Sequence, residues 1–488
     1  MRDLALTAIV GLLILAPAAG AEDEVVIPQD PAQRARHARE RLEWNRRLLV
    51  DSYEKVGNKD PRWDGPAREA LTKAALLFAG QGGPDTRPED VYKAARLAVD
   101  AGCDDPMILH VYATTSRAAE KLAAVEYKRR MAEATRALEA SRYPAIKRGL
   151  EMMRHALAMT SDKMPQEDRE ECGRLLDAAL RLIPESLAQG DQGRQADEVR
   201  YTLAWDIMSG QKFLTGDYQA AFEKVEAVLS KVPALKVACL QLEGEYLTYY
   251  AWEARGIGLA PTVTEEGWRK FGERLARADK ALREAWAAEP SGERTPTLMM
   301  TVLKGTGCER PEMETWFRRA MEADVDNFNA CFAMMDWLDP KWHGSPEEVL
   351  AFGRACRDTK NWQARITLLA ADAHIRAVQL KPSDEYRAYF ARPEVWDDIR
   401  TIFEDYLSHR PNDAPARSTY AAFCYNSNKI EESARQFEKV GARLYATNFY
   451  TLDQMKEFRA HVLRVAKERA KERAEEQAKE AEPPARPK

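Results

Sequence analysis

Apolar residues recur three, four and seven positions apart almost without interruption from about residue 30 onward. That is the spacing of one face of an α-helix. Between Arg34 and Val56, for example, Leu42, Leu49, Tyr53 and Val56 share one stripe, and Gly57-Asn58 supplies the stop. Runs of β-branched residues alternating with polar ones are missing, so the pattern predicts an all-α chain. Loops at residues 60–66 and 80–88 interrupt it, and Gly82-Gly83-Pro84 in the second marks the end of an N-terminal helical segment.

A repeat lies inside this helical pattern. From Thr202 to Val232, followed by Pro233, the residues Trp205, Gly216, Tyr218, Ala221 and Leu229 fit a pair of antiparallel helices. Gly216-Asp217 suits the tight turn, Ala221 lets the second helix approach closely, and Pro233 cannot continue a helix. Ala278, Leu282, Ala285 and Pro290 repeat the second-helix pattern. Phe317, Ala320 and Val325 repeat it again, Ala320 following Ala285 by 35 residues. Phe403, Leu407 and Pro411 end a later unit, and Ala414 through Ile430 and Phe437 to Val440 form another. Asn428 stands at its turn, where a left-handed backbone is tolerated. Pro233 and Pro290 are 57 residues apart, so one unit carries an insertion or a longer helix pair.

These positions resemble the 34-residue tetratricopeptide repeat. The strings Tyr201-Thr202-Leu203-Ala204-Trp205-Asp206, Thr264-Glu265-Glu266-Gly267-Trp268 and Pro340-Lys341-Trp342-His343-Gly344-Ser345 are similar to a family of uncharacterised exported bacterial proteins built around such repeats. The resemblance implies a right-handed superhelical α-solenoid and transfers no activity. Similar repeat proteins that clamp a peptide's terminal carboxylate place Lys or Asn on the inner face. Asp206 and Gly210 stand there instead, which puts that clamp in doubt.

Residues 1–21 read as a secretory signal peptide, with Arg2 at the front, an apolar stretch from Leu4 to Ala16, and Ala19-Gly20-Ala21 as the cleavage site. The expected product is exported, periplasmic or extracellular, with no membrane span after cleavage. Residues 22–88 then form an N-terminal helical segment, 89–200 a helical region of degenerate repeats, and 201–452 the tetratricopeptide-like repeat domain. Residues 453–488 make a charged helix and disordered tail, in which Phe458, Val462 and Val465 keep helical spacing before Lys, Glu and Arg take over and Pro483-Pro484 ends the run.

The 488 residues include 73 Lys and Arg against 78 Asp and Glu, a net charge of −5, and 45% are hydrophobic. This balance supports a buried core and argues against nucleic acid as the partner. Seven cysteines are scattered singly with no C-x-x-C pair, as small buried residues of a helical protein would be.

No H-E-x-x-H, G-x-S-x-G or phosphate-loop motif occurs, so no metal, cofactor or catalytic residue is expected. In stacked repeats the first helix of each pair lines the inner face, which is where a partner would bind. In the clearest unit that face is Leu203, Asp206, Gly210 and Phe213, and near the C-terminus it is Ser418, Ala422, Tyr425 and Asn426. The candidate partner-binding residues are therefore Leu203, Asp206, Phe213, Tyr425 and Asn426. Each has a competing role in packing against the neighbouring helix. Tyr246, Tyr249 and Tyr250 read as one helix side facing a buried interface, with Trp252 turned away. Ser345-Pro346-Glu347-Glu348 reads as a helix start beneath Trp337 and Trp342.

The expected function is a non-enzymatic exported scaffold for a protein or peptide partner. The alternative is a cell-envelope hydrolase or lyase with its site in a helical groove.

Overall fold

The computed structural model describes residues 25–480 except 83–85, 120–122, 162, 191, 257, 259 and 442–443. The signal-peptide stretch, Gly83-Pro84 and Pro483-Pro484 lie outside the described residues. Every regular element among those described is helical, and the helices are arranged as stacked antiparallel pairs, a helical-repeat solenoid. Pro28–Met334 forms one compact unit, and the described residues from Met335 onward belong to the other.

The unit from Pro28 begins with α1 (Pro31–Arg46), capped by Asp30, whose carboxylate accepts from the Gln33 amide at 2.9 Å. A π-helical turn over Arg47–Asp51, where Ser52 Oγ donates to the Arg47 carbonyl at 2.9 Å, leads into α2 (Ser52–Val56). The pairs follow: α3 (Asp64–Phe78) with α4 (Pro88–Asp100), α5 (Pro106–Ala119) with α6 (Ala124–Glu139), and α7 (Ala145–Met159) with α8 (Gln166–Ala188). Next come α9 (Arg194–Thr215) with α10 (Tyr218–Leu229), α11 (Lys236–Arg255) with α12 (Glu265–Ala288), and α13 (Arg294–Thr306) with α14 (Arg310–Ala323). α15 (Phe328–Trp337) crosses the division between the units.

The α9–α10 pair is built as its sequence requires. Gly216 ends α9 with φ of +75°, Asp217 caps α10 by accepting from the Ala220 amide at 3.0 Å, and Ala221, Val225 and Leu229 are buried. The long interval from Pro233 to Pro290 is a longer helix pair, with α11 of 20 residues and α12 of 24. Gly244 permits the close crossing of these two, since a Cβ there would come within 2.5 Å of the Leu282 side chain.

α1 crosses the N-terminal ends of the first helices. Trp44, at its C-terminal end, and Leu48 of the π turn pack on Ile146 of α7 and Ala196 of α9. At the other end of α1 the Gln33 amide donates to the Glu322 carbonyl and accepts from the Val325 amide, both at 2.8 Å. Arg34 pairs with Asp326 at 2.9 Å. These contacts tie residues nearly 300 positions apart.

The second unit contains α16 (Pro346–Asp358), α17 (Leu369–Val378), α18 (Ser383–Phe390), α19 (Pro393–His409), α20 (Ala414–Asn426), α21 (Ile430–Val440) and α22 (Leu452–Glu480). Ser345 caps α16, accepting from the Glu348 amide at 3.2 Å. Trp337 is buried and stacks on His343 with ring centres 5.2 Å apart, making a corner before that cap. Asn428 adopts φ of +57° at the α20–α21 turn. On α22, Met455, Phe458 and Val462 pack against Ala421, Ile430 and Phe437. Farther along, Arg469 and Arg473 reach Glu431 at 3.7 and 3.1 Å from exposed positions.

No disulfide forms among the described residues, and five of the seven cysteines are buried. No described helix is long and apolar enough to cross a membrane.

Candidate functional site

The first helices α7, α9, α11 and α13 stand side by side, so side chains spaced three and four apart on each one meet those of the next. At the α7 end a buried ionic group forms. Lys147 and Glu151, at i and i+4, pair at 2.5 Å, Arg154 reaches the same carboxylate at 3.0 Å, and His110 Nε2 of α5 lies 3.4 Å from its other oxygen. Burial pulls the His110 pKa down to about 4 and lowers that of Lys147. Burial acts to raise the Glu151 carboxyl, but Lys147, Arg154 and His110 outweigh it and hold the group ionised.

On α9, Asp206 is half-buried, and that burial raises its pKa against the opposing pull of Arg154. Trp205 beside it meets Tyr249 of α11, ring centres 5.1 Å apart. Four residues before Tyr249, Glu245 accepts the hydroxyl hydrogen of buried Tyr201. Burial also raises the Glu245 pKa. The Arg294 guanidinium of α13 lies 3.8 Å from the centre of the Tyr201 ring and is paired with Glu198 at 2.5 Å.

Glu245, Thr248, Tyr249 and Trp252 of α11 face Leu298, Thr301 and Lys304 of α13 across a cleft of about 250 Å³. Tyr249 is 52% exposed within it. Lys304 Nζ stands 4.9 Å from the centre of the Trp252 ring, and Phe271 of α12 supports that indole edge-on at 4.8 Å. The cleft thus combines open aromatic surface with a desolvated carboxyl and a cation. Its lining has no Ser, Cys or His that would serve as a nucleophile or its base.

A second cleft, of about 320 Å³, opens at the N-terminal ends of α9, α11 and α13. Its guanidinium groups are held by the chain's own carboxylates: Arg194 by Glu293 and Asp324 at 3.1 and 2.7 Å, Arg200 by Asp197 at 2.6 Å, and Arg294 by Glu198. In the other unit His374 bridges Tyr389, at 2.7 Å from Nδ1, and Asp398, at 3.1 Å from Nε2, while Arg357 holds Asp398 at 2.8 Å. His374 is the main cause of the lowered Asp398 pKa, and burial pushes the Tyr389 phenol up to about 12.

Of the residues singled out from the sequence, Asp206 is half-buried on α9 next to Trp205, outside the cleft lining but near enough to Glu245 to oppose its ionisation. Leu203 is fully buried, and its side chain lies against Gly149 of α7. Gly210 faces α8, where an added Cβ would come within 2.8 Å of Leu176. Phe213 is 39% exposed near the end of α9, apart from the cleft lining. Tyr425 packs edge-on against Phe458 of α22 at 4.3 Å, and Asn426 accepts from the Tyr450 hydroxyl at 3.1 Å. The C-terminal helix and the segment before it therefore contact that pair.

The three tyrosines do not share one side of α11. Tyr246 turns toward α10, stacking on Phe222 at 4.7 Å, and Tyr250 lies under Arg274 of α12 at 3.2 Å. Tyr249 shares its face with Glu245 and Trp252 instead. At 100° per residue, positions 245, 249 and 252 fall within about 60° of one another, whereas 246 and 250 point elsewhere. That i, i+4, i+7 set was the available signal.

No family model matches the chain, and no curated protein matches it. Among solved structures, yeast Tom70 aligns over 90% of this chain and 94% of its own, with 12% identity and a TM-score of 0.27. The TPR domain of P58(IPK) aligns over 83% and 99%, with 15% identity and a TM-score of 0.19. Naa15/Naa10 bound to HypK-THB aligns over 87% and 70%, with 14% identity and a TM-score of 0.17.

Proposed function

We propose that the chain is an exported helical-repeat scaffold that holds a segment of a protein partner against the first helices α9, α11 and α13, without catalysis. The observation that carries this reading is the cleft in which half-exposed Tyr249 stands among Glu245, Trp252 and Lys304. An open aromatic face with a carboxyl and a cation beside it is an arrangement that a partner's side chain would cover. Asp206, on the neighbouring α9, is near enough to Glu245 to oppose its ionisation. Buried Leu203 holds α9 against α7, and Phe213, Tyr425 and Asn426 are candidate contacts apart from this cleft. Export is supported by the sequence of residues 1–21 and by the strings similar to exported bacterial repeat proteins.

Site-specific crosslinking tests the binding face. A photo-reactive residue replacing Tyr249 should capture a partner in the native cell, while one replacing Glu284, exposed on α12, should not. Equal capture from both positions would remove the assignment of the first-helix face. Fractionation with N-terminal sequencing tests export, and a product retained in the cytoplasm with Met1 intact would refute it.

A further inference from the structure

Around α11 the chain covers its aromatic rings with cations of its own. Arg274 lies over Tyr250 at 3.2 Å, Arg294 over Tyr201 at 3.8 Å, Lys304 over Trp252 at 4.9 Å, and Lys212 over Tyr218 at 5.3 Å. The Trp205–Tyr249 pair breaks this pattern. Among the described residues no guanidinium or ammonium group lies over either ring, although Tyr249 is 52% exposed. Two carboxylates flank the pair, Asp206 next to Trp205 and Glu245 one turn before Tyr249, near enough for Asp206 to disfavour ionisation of Glu245. Arg154 and Arg294, whose charges act on Asp206 and Glu245 respectively, are paired directly with other acids, Arg154 with Glu151 at 3.0 Å and Arg294 with Glu198 at 2.5 Å.

We infer that the surface where Trp205 of α9 meets Tyr249 of α11, at the edge of the α11–α13 cleft, receives an Arg or Lys side chain from an extended segment of a partner protein, stacked on Tyr249 and Trp205 and paired with Glu245 and Asp206. Aromatic faces attract cations through their quadrupole, and a carboxylate alongside adds a charge-assisted hydrogen bond, so the two demands are met by one group. The adjoining cleft of about 250 Å³, which Tyr249 and Glu245 also line, has room for one long side chain, not a folded domain. Lys304 already covers Trp252 on the opposite wall, which directs the incoming cation to the Trp205–Tyr249 side.

This inference rests on the scaffold reading, and one experiment separates their failures. A phage-displayed library of random nonapeptides is selected on the full chain, and enriched peptides are measured by fluorescence anisotropy against wild type, Glu245→Gln, Asp206→Asn and Tyr249→Ala. Circular dichroism and thermal melting confirm that each variant is folded. The expected result is enrichment of Arg or Lys at a fixed position, at least tenfold weaker binding to Glu245→Gln and Tyr249→Ala, and a similar loss when the basic residue of the peptide becomes Gln. Enriched peptides without a basic residue, or with unchanged affinity for these variants, would overturn the inference and leave the scaffold reading standing. Failure to enrich any peptide would overturn both.

Discussion

Asp372 on α17 shows what a single carboxyl contributes. Burial raises its pKa to about 6, against the pull of Arg376 and the amide hydrogen bond from Asn448 at 2.7 Å. An acid whose pKa is higher in the folded state binds its proton more tightly there. Its contribution to stability is therefore present at low pH and is lost as pH rises from the unfolded value of about 3.9 through about 6. Asp372→Asn should raise stability at pH 7.5 by about 1 kcal/mol, after allowance for the partial exposure of the group, and change it little at pH 4. Urea titrations of both proteins at the two pH values check this. Gly344 makes a steric demand instead, because a Cβ there would sit 2.1 Å from the Leu338 carbonyl oxygen. Gly344→Ala should lower stability by about 3 kcal/mol in the same assay.

At the scale of the element, α22 divides into a packed part and a solvated part. Phe458 meets Tyr425, Phe437 and Tyr450, with ring centres 4.3, 5.4 and 5.0 Å away. Phe458→Ala should cost about 3–4 kcal/mol. Ending the chain after Ala466 removes the exposed pairs of Arg469 and Arg473 with Glu431 and should cost less than about 1 kcal/mol. Chemical denaturation that ranked these two changes in the opposite order would show that the charged turns carry the packing. The sequence made this division legible, since apolar spacing stops near Val465 and charged residues follow. It also made legible the turns at Gly216 and Asn428 and the cap at Ser345, because each depends on one residue's backbone preference or one short-range hydrogen bond. The cleft was less legible. Helical period gives the angle between Tyr246 and Tyr249, but α10 and α12, arriving from elsewhere in the chain, decide which ring is covered.

At the scale of the molecule, the longest-range feature within the unit Pro28–Met334 is the hold of α1 on the α14–α15 turn. Gln33 satisfies one carbonyl and one amide of that turn with a single side chain. Gln33→Ala would remove both of these hydrogen bonds, at a cost of about 1–3 kcal/mol. Hydrogen–deuterium exchange at residues 322–326 should then speed up, with α9 to α12 unchanged; uniform protection in the variant would show that the turn holds without α1.

What the sequence determined by itself was local and periodic: helices everywhere, their pairing through short turns, the stops and caps, and the apolar stripe that each helix must bury. Tertiary structure alone decided which of the remaining faces stayed open. It buried Leu203 against α7, placed α22 against Tyr425, brought Gln33 to Val325, and left Tyr249 beside Glu245 and Lys304. The reason is physical. A helix's period fixes the directions of its side chains relative to one another, whereas exposure depends on neighbours contributed by distant parts of the chain.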